Sequence, residues 1–414
     1  MDKNIKRITS WLSEIDSKNK FLLEESEHVA ILTHLYHAYI SNSIMDYDND
    51  YYITKGYANQ IVESIPDDIL SHLNYAPYND LHNQYFKFVD LFAGIGGFRL
   101  ALNKHGGKCV FSSEWDKSAQ MTYFANYGDV PFGDIRSFTG EHISDSLLDI
   151  SIPDHDILTA GFPCQPFSRA GVSARNALHK SHGFDCETQG TLFYDIIRII
   201  SVKKPKIVFL ENVKNLISHD NGRTFNVIKK NINEQGYKFY YYIINSETLV
   251  PQKRIRCYMI CIRDDINKAH NFSLDMTAFK GNPLSLETIL EPADYVKEYQ
   301  ISEKLWQGHI NRTNRNLERG TGFTAMLADL KKPSNTLVAR YGKDGKECLI
   351  PMQYGPPRKL SIREAARLQG FPDDFVLPLS KTPVYKQMGN SVAVPVVQEL
   401  ARQIVLYLEN VNAI

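Results

Sequence analysis

The sequence predicts an α/β protein with a helical extension before it and a smaller irregular domain after it. Three observations carry that expectation. From Phe86 onward short apolar strands alternate with helix-periodic segments, the pattern of a parallel sheet flanked by helices. The first strand, Lys87 to Phe92, runs straight into Ala93-Gly94-Ile95-Gly96-Gly97 and an apolar-periodic helix. Acidic residues then recur at the carboxyl ends of strands, where open α/β sheets bind their ligands. The 414 residues, 43% apolar and 23% charged, suffice for two or three domains with cores of their own.

Residues 1–84 precede this pattern. Val29, Leu32, Leu35, Tyr36 and Tyr39 share one face of a 3.6-period helix. Asn42 to Asp50 is an acidic loop, and a second helical piece spans Tyr57 to Leu73, interrupted at Pro66. No basic recognition helix stands out, so a packing or regulatory extension is expected.

The glycine turn allows a tight reversal with close backbone approach, and the helix after it offers N–H groups at its start. Its Gly-x-Gly-Gly spacing is less than the full dinucleotide fingerprint. A second strand, Lys108 to Ser113, ends at Glu114-Trp115. Glu114 lies 20 residues after Gly94, where an acid binds ribose hydroxyls. Trp115 is either a purine-stacking platform or a half-buried packing residue. The third crossover ends at Gly133-Asp134-Ile135, an acid and an apolar residue suited to an adenine amino group and ring face. Three such features at consecutive strand ends predict one nucleoside-bearing cofactor in a Rossmann-like unit.

A fourth strand, Asp156 to Ala160, enters Gly161-Phe162-Pro163-Cys164-Gln165-Pro166-Phe167-Ser168. Prolines on both sides restrict the turn, so Cys164 is aimed. A reactive thiol needs nearby cations, and Gln252-Lys253-Arg254-Ile255-Arg256 supplies candidates. A buried structural cysteine is the plain alternative. The loop Arg169 to Gly190 has the length of a lid. Lys206 to Leu210 is a strand ending in Glu211-Asn212-Val213, where Glu211 either faces a ligand or serves a helix start. Tyr237 to Ile244 and Arg254 to Ile262 complete the sheet, and period two puts Arg254 and Arg256 on one face.

Residues 270–357 are turn-rich. Ser361 and Glu364 form a capping box for the helix Ile362 to Gln369, which stops at Gly370. A final helix, Val396 to Leu408, is expected to return to the first sheet. The net charge is zero, yet residues 1–84 hold 6 Lys and Arg against 13 Asp and Glu, and residues 301–370 hold 13 against 6. That asymmetry is a footprint of a local polyanion-binding face as well as of an ordinary solvated surface. Six cysteines without zinc spacing predict no metal, no disulfides and a cytoplasmic setting. No stretch reaches the ~20 apolar residues of a membrane helix.

Taken together the motifs resemble those of the bacterial cytosine-C5 DNA methyltransferases, in family order over residues 86–410. They are Phe-Val-Asp-Leu-Phe-Ala-Gly-Ile-Gly-Gly (88–97), Glu114-Trp115, Gly133-Asp134-Ile135, Gly-Phe-Pro-Cys-Gln-Pro-Phe-Ser (161–168), Gly-Thr-Leu-Phe (190–193) and Glu-Asn-Val (211–213). Gln-x-Arg-x-Arg (252–256), Glu-Ala-Ala-Arg-Leu-Gln-Gly-Phe-Pro (364–372) and Gln-Met-Gly-Asn-Ser-Val (387–392) follow. The resemblance implies a Rossmann-like S-adenosylmethionine-dependent methyltransferase domain at 85–275. It also implies a target-recognition domain at 276–384 and a C-terminal segment, 385–414, returning to the catalytic domain. Residues 1–84 are left as a helical extension.

The resemblance makes Cys164 the nucleophile at cytosine C6, Glu211 the partner of N3, and Arg256 a contact to O2 with Arg254 beside it. S-adenosylmethionine would lie on Phe92, Gly94, Ile95, Gly96, Gly97, Glu114, Trp115, Asp134, Ile135, Gly161, Pro163 and Leu192, with Asn390 and Ser391 closing the site. Double-stranded DNA would meet Gln165, Ser168 and Arg169 on the mobile loop, which supports a flipped-out base. In the small domain it would meet Gly322, Thr336, Arg340, Tyr341 and Lys343. Gly320-Thr321-Gly322-Phe323, Thr336 to Tyr341, Lys343-Asp344-Gly345 and the 171–190 insertion look like the Dcm branch, whose members methylate CCWGG. Shorter segments after Phe323 and before Arg358 leave CCNGG, CCSGG and CCGG open. The expected enzyme is a DNA (cytosine-5-)-methyltransferase acting as a monomer, with a cognate restriction endonuclease as a possible companion. An RNA cytosine methyltransferase, a DNA-binding regulator using residues 1–84, and a nucleotide-linked oxidoreductase are the rivals. The acidic extension opposes the regulator, since it would repel phosphate. The oxidoreductase would leave Pro-Cys-Gln and Glu-Asn-Val unexplained.

Overall fold

Six strands, β1 (Phe86–Leu91), β2 (Gly107–Ser113), β3 (Ile157–Gly161), β4 (Ile207–Val213), β5 (Tyr237–Asn245) and β6 (Ile255–Arg263), form one sheet in the order β2-β1-β3-β4-β6-β5. The structure is a computed structural model that describes residues 27–40, 62–67, 70, 77–78, 84–163, 192–268, 270–320, 325 and 327–414. Helices that position the site are α1 (His28–Ile40), α2 (Gly97–Asn103), α3 (Lys117–Tyr127) and α4 (Leu192–Lys203), followed by α5 (Arg223–Glu234), α6 (Glu303–Glu318), α7 (Ile362–Leu368), α8 (Lys381–Asn390) and α9 (Val394–Asn410).

β2, β1, β3 and β4 pair in parallel, as the alternation of strands and helices predicts. The parallel expectation fails at β6, which runs antiparallel to both β4 and β5. Only residues 246–254 join β5 to β6, too few for a parallel crossover, so the chain turns back. The strand expected before Asp134 also fails to form. Phe132 makes a single bridge to Ser113. The ladder stops because side chains take its next partners: Thr33 Oγ1 accepts the Val130 N–H at 3.0 Å, and Gln120 Nε2 donates to the Glu114 carbonyl.

One face of the sheet is covered by α4 and α5, through Ile196, Ile200, Ile228 and Ile232, and by α1, through Val29, Leu32, Leu35 and Tyr36. The α1 stripe therefore joins the sheet core, as its periodicity requires; the Tyr39 side chain, the acidic loop and most of the second helical piece lie outside the described residues. The other face is covered by α2 and α9, whose Val396, Val397, Leu400, Ala401, Ile404 and Leu408 pack with Phe86, Phe88, Phe98 and Ala101. That is the expected return of the last helix, two residues longer at each end. At α7 the predicted capping box forms, and the fully buried Glu364 takes Arg358 through both oxygens, at 2.7 and 2.8 Å.

Candidate active site

The turn after β1 is built from unusual backbone. Phe92, Gly94 and Gly96 sit at φ 54°, 58° and 85°. Left-handed geometry is strained for phenylalanine, on the order of 1–3 kcal/mol, and such strain gathers where a fold shapes a ligand site. Gly96 has a further reason to be glycine. A Cβ there would stand 2.3 Å from the Tyr127 ring, whose hydroxyl donates to the Gly96 carbonyl at 2.7 Å.

This turn is one wall of a cavity of about 620 Å³, inside the range of small-molecule sites. Phe92, Gly94, Ile95 and Gly97 line it, with Glu114 and Trp115 from the end of β2 and Asp134 and Ile135 from the next loop. Gly161 and Pro163 follow β3, Leu192 opens α4, and Asn390 and Ser391 follow from α8. Gly96 alone among the expected cofactor residues is off the wall, having been used for the turn.

The two acids differ in state. Glu114 accepts the N–H groups of Gly94 and Asp116, both at 2.8 Å, yet burial still lifts its carboxyl above the ordinary range. Asp134 is pushed up by burial too, but hydrogen bonds from Arg136 outweigh this and leave it below the ordinary range. Trp115 is 75% exposed at the rim, a large aromatic face beside a carboxylate. It is not the half-buried packing residue. An acid held by backbone N–H groups, a second acid and an open indole fit a hydroxylated, aromatic nucleoside.

The inner end of the cavity is different. Parallel pairing sets Gly161 beside Glu211, and the antiparallel β4–β6 pair sets Arg256 across from Val213. Arg256 Nε lies 3.1 Å from Glu211 Oε1. Burial nevertheless raises the Glu211 carboxyl, with Arg256 and Arg254 opposing that shift. Asn212 Nδ2 donates to the Phe162 carbonyl at 2.9 Å, tying the start of the proline-cysteine turn to β4. Arg254 also lines the cavity, but its guanidinium is a buried strut: it donates to the carbonyls of Leu337, at 3.2 Å, and of Gly389, at 3.1 Å, and also to Ser391. Gly389 must be glycine there, because a Cβ would meet the Ala339 nitrogen at 2.2 Å. A buried carboxyl whose proton affinity is raised by burial, beside a guanidinium, suits a heteroaromatic base carrying both a ring nitrogen and a carbonyl.

Cys164, Gln165, Ser168, Arg169 and Gly322 lie outside the described residues. Pro163, on the cavity wall, directly precedes Cys164 in the chain. Among the expected DNA contacts, Arg340 and Lys343 are exposed, and the Thr336 hydroxyl donates to the Lys253 carbonyl at 2.5 Å. Tyr341 must be corrected. It is fully buried, its hydroxyl donates to the Cys348 carbonyl at 2.6 Å and accepts the Leu360 N–H at 2.8 Å, and its ring packs on Tyr385. Its side chain serves the core of the small domain and not its surface. Sequence reading also passed over Lys386 and Asp116, an ion pair at 2.5 Å on the cavity wall. Asp116 was detectable as the cap of α3, where it accepts the Ser118 N–H at 2.9 Å.

The family described as C-5 cytosine-specific DNA methylase matches residues 86–406. The type II methyltransferase M.SsoII of Shigella sonnei is 44% identical over 337 residues, covering 81% of this chain and 84% of that one. The DNA-cytosine methyltransferase of Escherichia coli (strain K12) is 41% identical over 368 residues, 78% of each. The fold is also that of the S. pombe Dnmt2 methyltransferase crystal structure, at TM-score 0.58 and 19% identity over 79% of this chain and all of that one.

Proposed function

We propose, from the premise that the chain belongs to the C-5 cytosine-specific DNA methylase family, that this cavity joins a cofactor end at Glu114 to a base end at Glu211 for methyl transfer through a covalent Cys164 adduct. The enzyme is a DNA (cytosine-5-)-methyltransferase, EC 2.1.1.37, dependent on S-adenosylmethionine. Continuity of the two ends is the observation that carries the mechanism. A base cannot be reached inside a duplex, so the cytosine is flipped out, at a cost of a few kcal/mol.

Cytosine C5 is a poor nucleophile. Addition of the Cys164 thiolate to C6 makes it enamine-like, and loss of the C5 proton later expels the cysteine. Glu211, raised by burial, holds a proton toward N3 and so eases the addition; Arg256 steadies O2. S-adenosylmethionine supplies the electrophilic methyl group. Glu114, Trp115, Asp134, Ile135 and the 92–97 turn would hold it, with Leu192, Gly161, Pro163, Asn390 and Ser391 around it. Arg254 acts as a strut between β6, the small domain and the end of α8.

Target reading is assigned to residues 276–384, with Arg340 and Lys343 at the DNA face. The proposed target is CCWGG or a related CCNGG, CCSGG or CCGG site, supported by the Dcm-like segments. Monomeric action in the cytoplasm, as the modifying half of a restriction-modification pair, belongs to the same proposal. Base-resolution mapping of 5-methylcytosine in plasmid DNA from methylation-free cells expressing the chain tests it. Methylation at one short motif is expected, and unmethylated plasmid overturns the reading.

Glu114→Ala is expected to weaken S-adenosylmethionine binding by about tenfold or more while leaving DNA affinity in place, since a charge-assisted acceptor is lost. Parallel titrations with cofactor and with duplex measure it, and equal losses in both would refute the assignment.

A further inference from the structure

Helix α1 lies outside the matched residues 86–406. One of its faces nonetheless grips the loop that carries the cofactor acids. Glu27, immediately before α1 and buried, accepts the Gly133 N–H with both carboxylate oxygens, at 3.1 and 2.9 Å. Thr33 Oγ1 accepts the Val130 N–H at 3.0 Å. His37 Nδ1 lies 3.0 Å from Asp129 Oδ1, and Arg99 takes the other oxygen of Asp129 at 2.5 Å. The His34 ring stacks on Phe132 at 4.7 Å and 27°.

Four side chains from one face thus reach four residues of the stretch 129–133. This is the stretch whose sheet ladder was cut to a single bridge, so α1 supplies the order that a strand would have given. Both cofactor acids hang from it. The Phe132 carbonyl accepts the Glu114 N–H at 2.7 Å, and Gly133 directly precedes Asp134. Gly133 also has a shape that answers Glu27, because a Cβ there would stand 2.5 Å from Glu27 Oε1.

We propose that Glu27 is a positioning residue for S-adenosylmethionine: α1 clamps the 129–133 loop, and the clamp sets how Glu114 and Asp134 face the cavity. The proposal rests on reading that end of the cavity as the cofactor site. Cofactor affinity then depends on a segment that precedes the catalytic domain in the chain.

The test uses the full chain with E27A, E27Q, T33V and the Glu114→Ala control. S-adenosylmethionine and S-adenosylhomocysteine are titrated calorimetrically, and amide hydrogen exchange at Gly133 and Val130 is followed in cofactor-free protein. E27A is expected to weaken both ligands about tenfold, through loss of a buried charge-assisted hydrogen bond. It should speed Gly133 exchange and raise the KM for S-adenosylmethionine while kcat and DNA affinity stay within about twofold. E27Q keeps an acceptor oxygen and should recover most of the affinity. T33V should show a smaller loss with faster exchange at Val130, which keeps the idea testable if E27A folds poorly. Unchanged cofactor affinity in E27A and T33V, with Glu114→Ala impaired, overturns the clamp and leaves the cofactor site standing. Unchanged affinity in Glu114→Ala overturns the cofactor reading itself. Equal loss of cofactor affinity, DNA affinity and kcat in E27A reduces Glu27 to a folding residue and also overturns the proposal.

Discussion

Cys164→Ala is expected to remove methyl transfer to DNA, by on the order of 10⁴-fold or more, while S-adenosylmethionine still binds. Cytosine C5 becomes nucleophilic only when electron density is pushed into the ring from C6, and no described cysteine is placed to do this. The described cysteines, Cys109, Cys257, Cys261 and Cys348, do not line the cavity, and burial raises every one of their thiols. A methylation assay with labelled cofactor reads the loss. Duplex carrying 5-fluorocytosine at the target gives an independent readout, since C5 then has no proton to lose and the adduct cannot collapse. Wild-type protein should form a denaturant-stable complex with it and the alanine variant should not. A variant that methylates at the wild-type rate would end the covalent mechanism.

Glu211→Gln should lower kcat by about 10²- to 10⁴-fold, the range for removing a positioned general acid or base. The same substitution should raise the melting temperature at pH 8. Burial makes the folded protein hold the Glu211 proton more tightly than the unfolded chain does. Stability from this group is therefore present below the ordinary glutamate range and lost as pH rises through the folded value. At pH 8 the unfolded chain ionises Glu211 freely while the folded protein bears the cost of burying it, and the amide removes that cost while still offering Arg256 an acceptor. Near pH 4 both states of the wild type are largely protonated and the advantage of the variant should vanish. Calorimetric scans at the two pH values check this. A fall in melting temperature at pH 8 would mean that the pair with Arg256, not desolvation, dominates at Glu211.

Much of this was legible locally. The Gly-x-Gly-Gly turn, Glu114 at its offset, the Ser361–Glu364 box and the α9 stripe are patterns within a few residues of one another, where spacing decides geometry. What escaped depends on partners far along the chain. Tyr341 read as a surface residue beside Arg340, and only Cys348, Leu360 and Tyr385 make it core. The missing third strand follows from Thr33 taking a backbone N–H 97 residues away. Antiparallel β6 depends on a short connection whose turn carries no strong local signature. Arg254 and Arg256 share a motif, yet one props three carbonyls and the other faces Glu211, a division set by which strands neighbour β6.

The shared core beneath α1 bears on how the protein could be shortened. Val110, Phe111 and Phe132 pack in one apolar cluster with Val29, Leu32, Leu35 and Tyr36. Trimming the chain back to residue 86, where its likeness to the family begins, would bare that cluster to water. It would also leave Asp129 and Arg99 with a half-open cage. Such a fragment carries every catalytic motif together with a sticky flank, so low yield and solubility would add to its weakened hold on the cofactor.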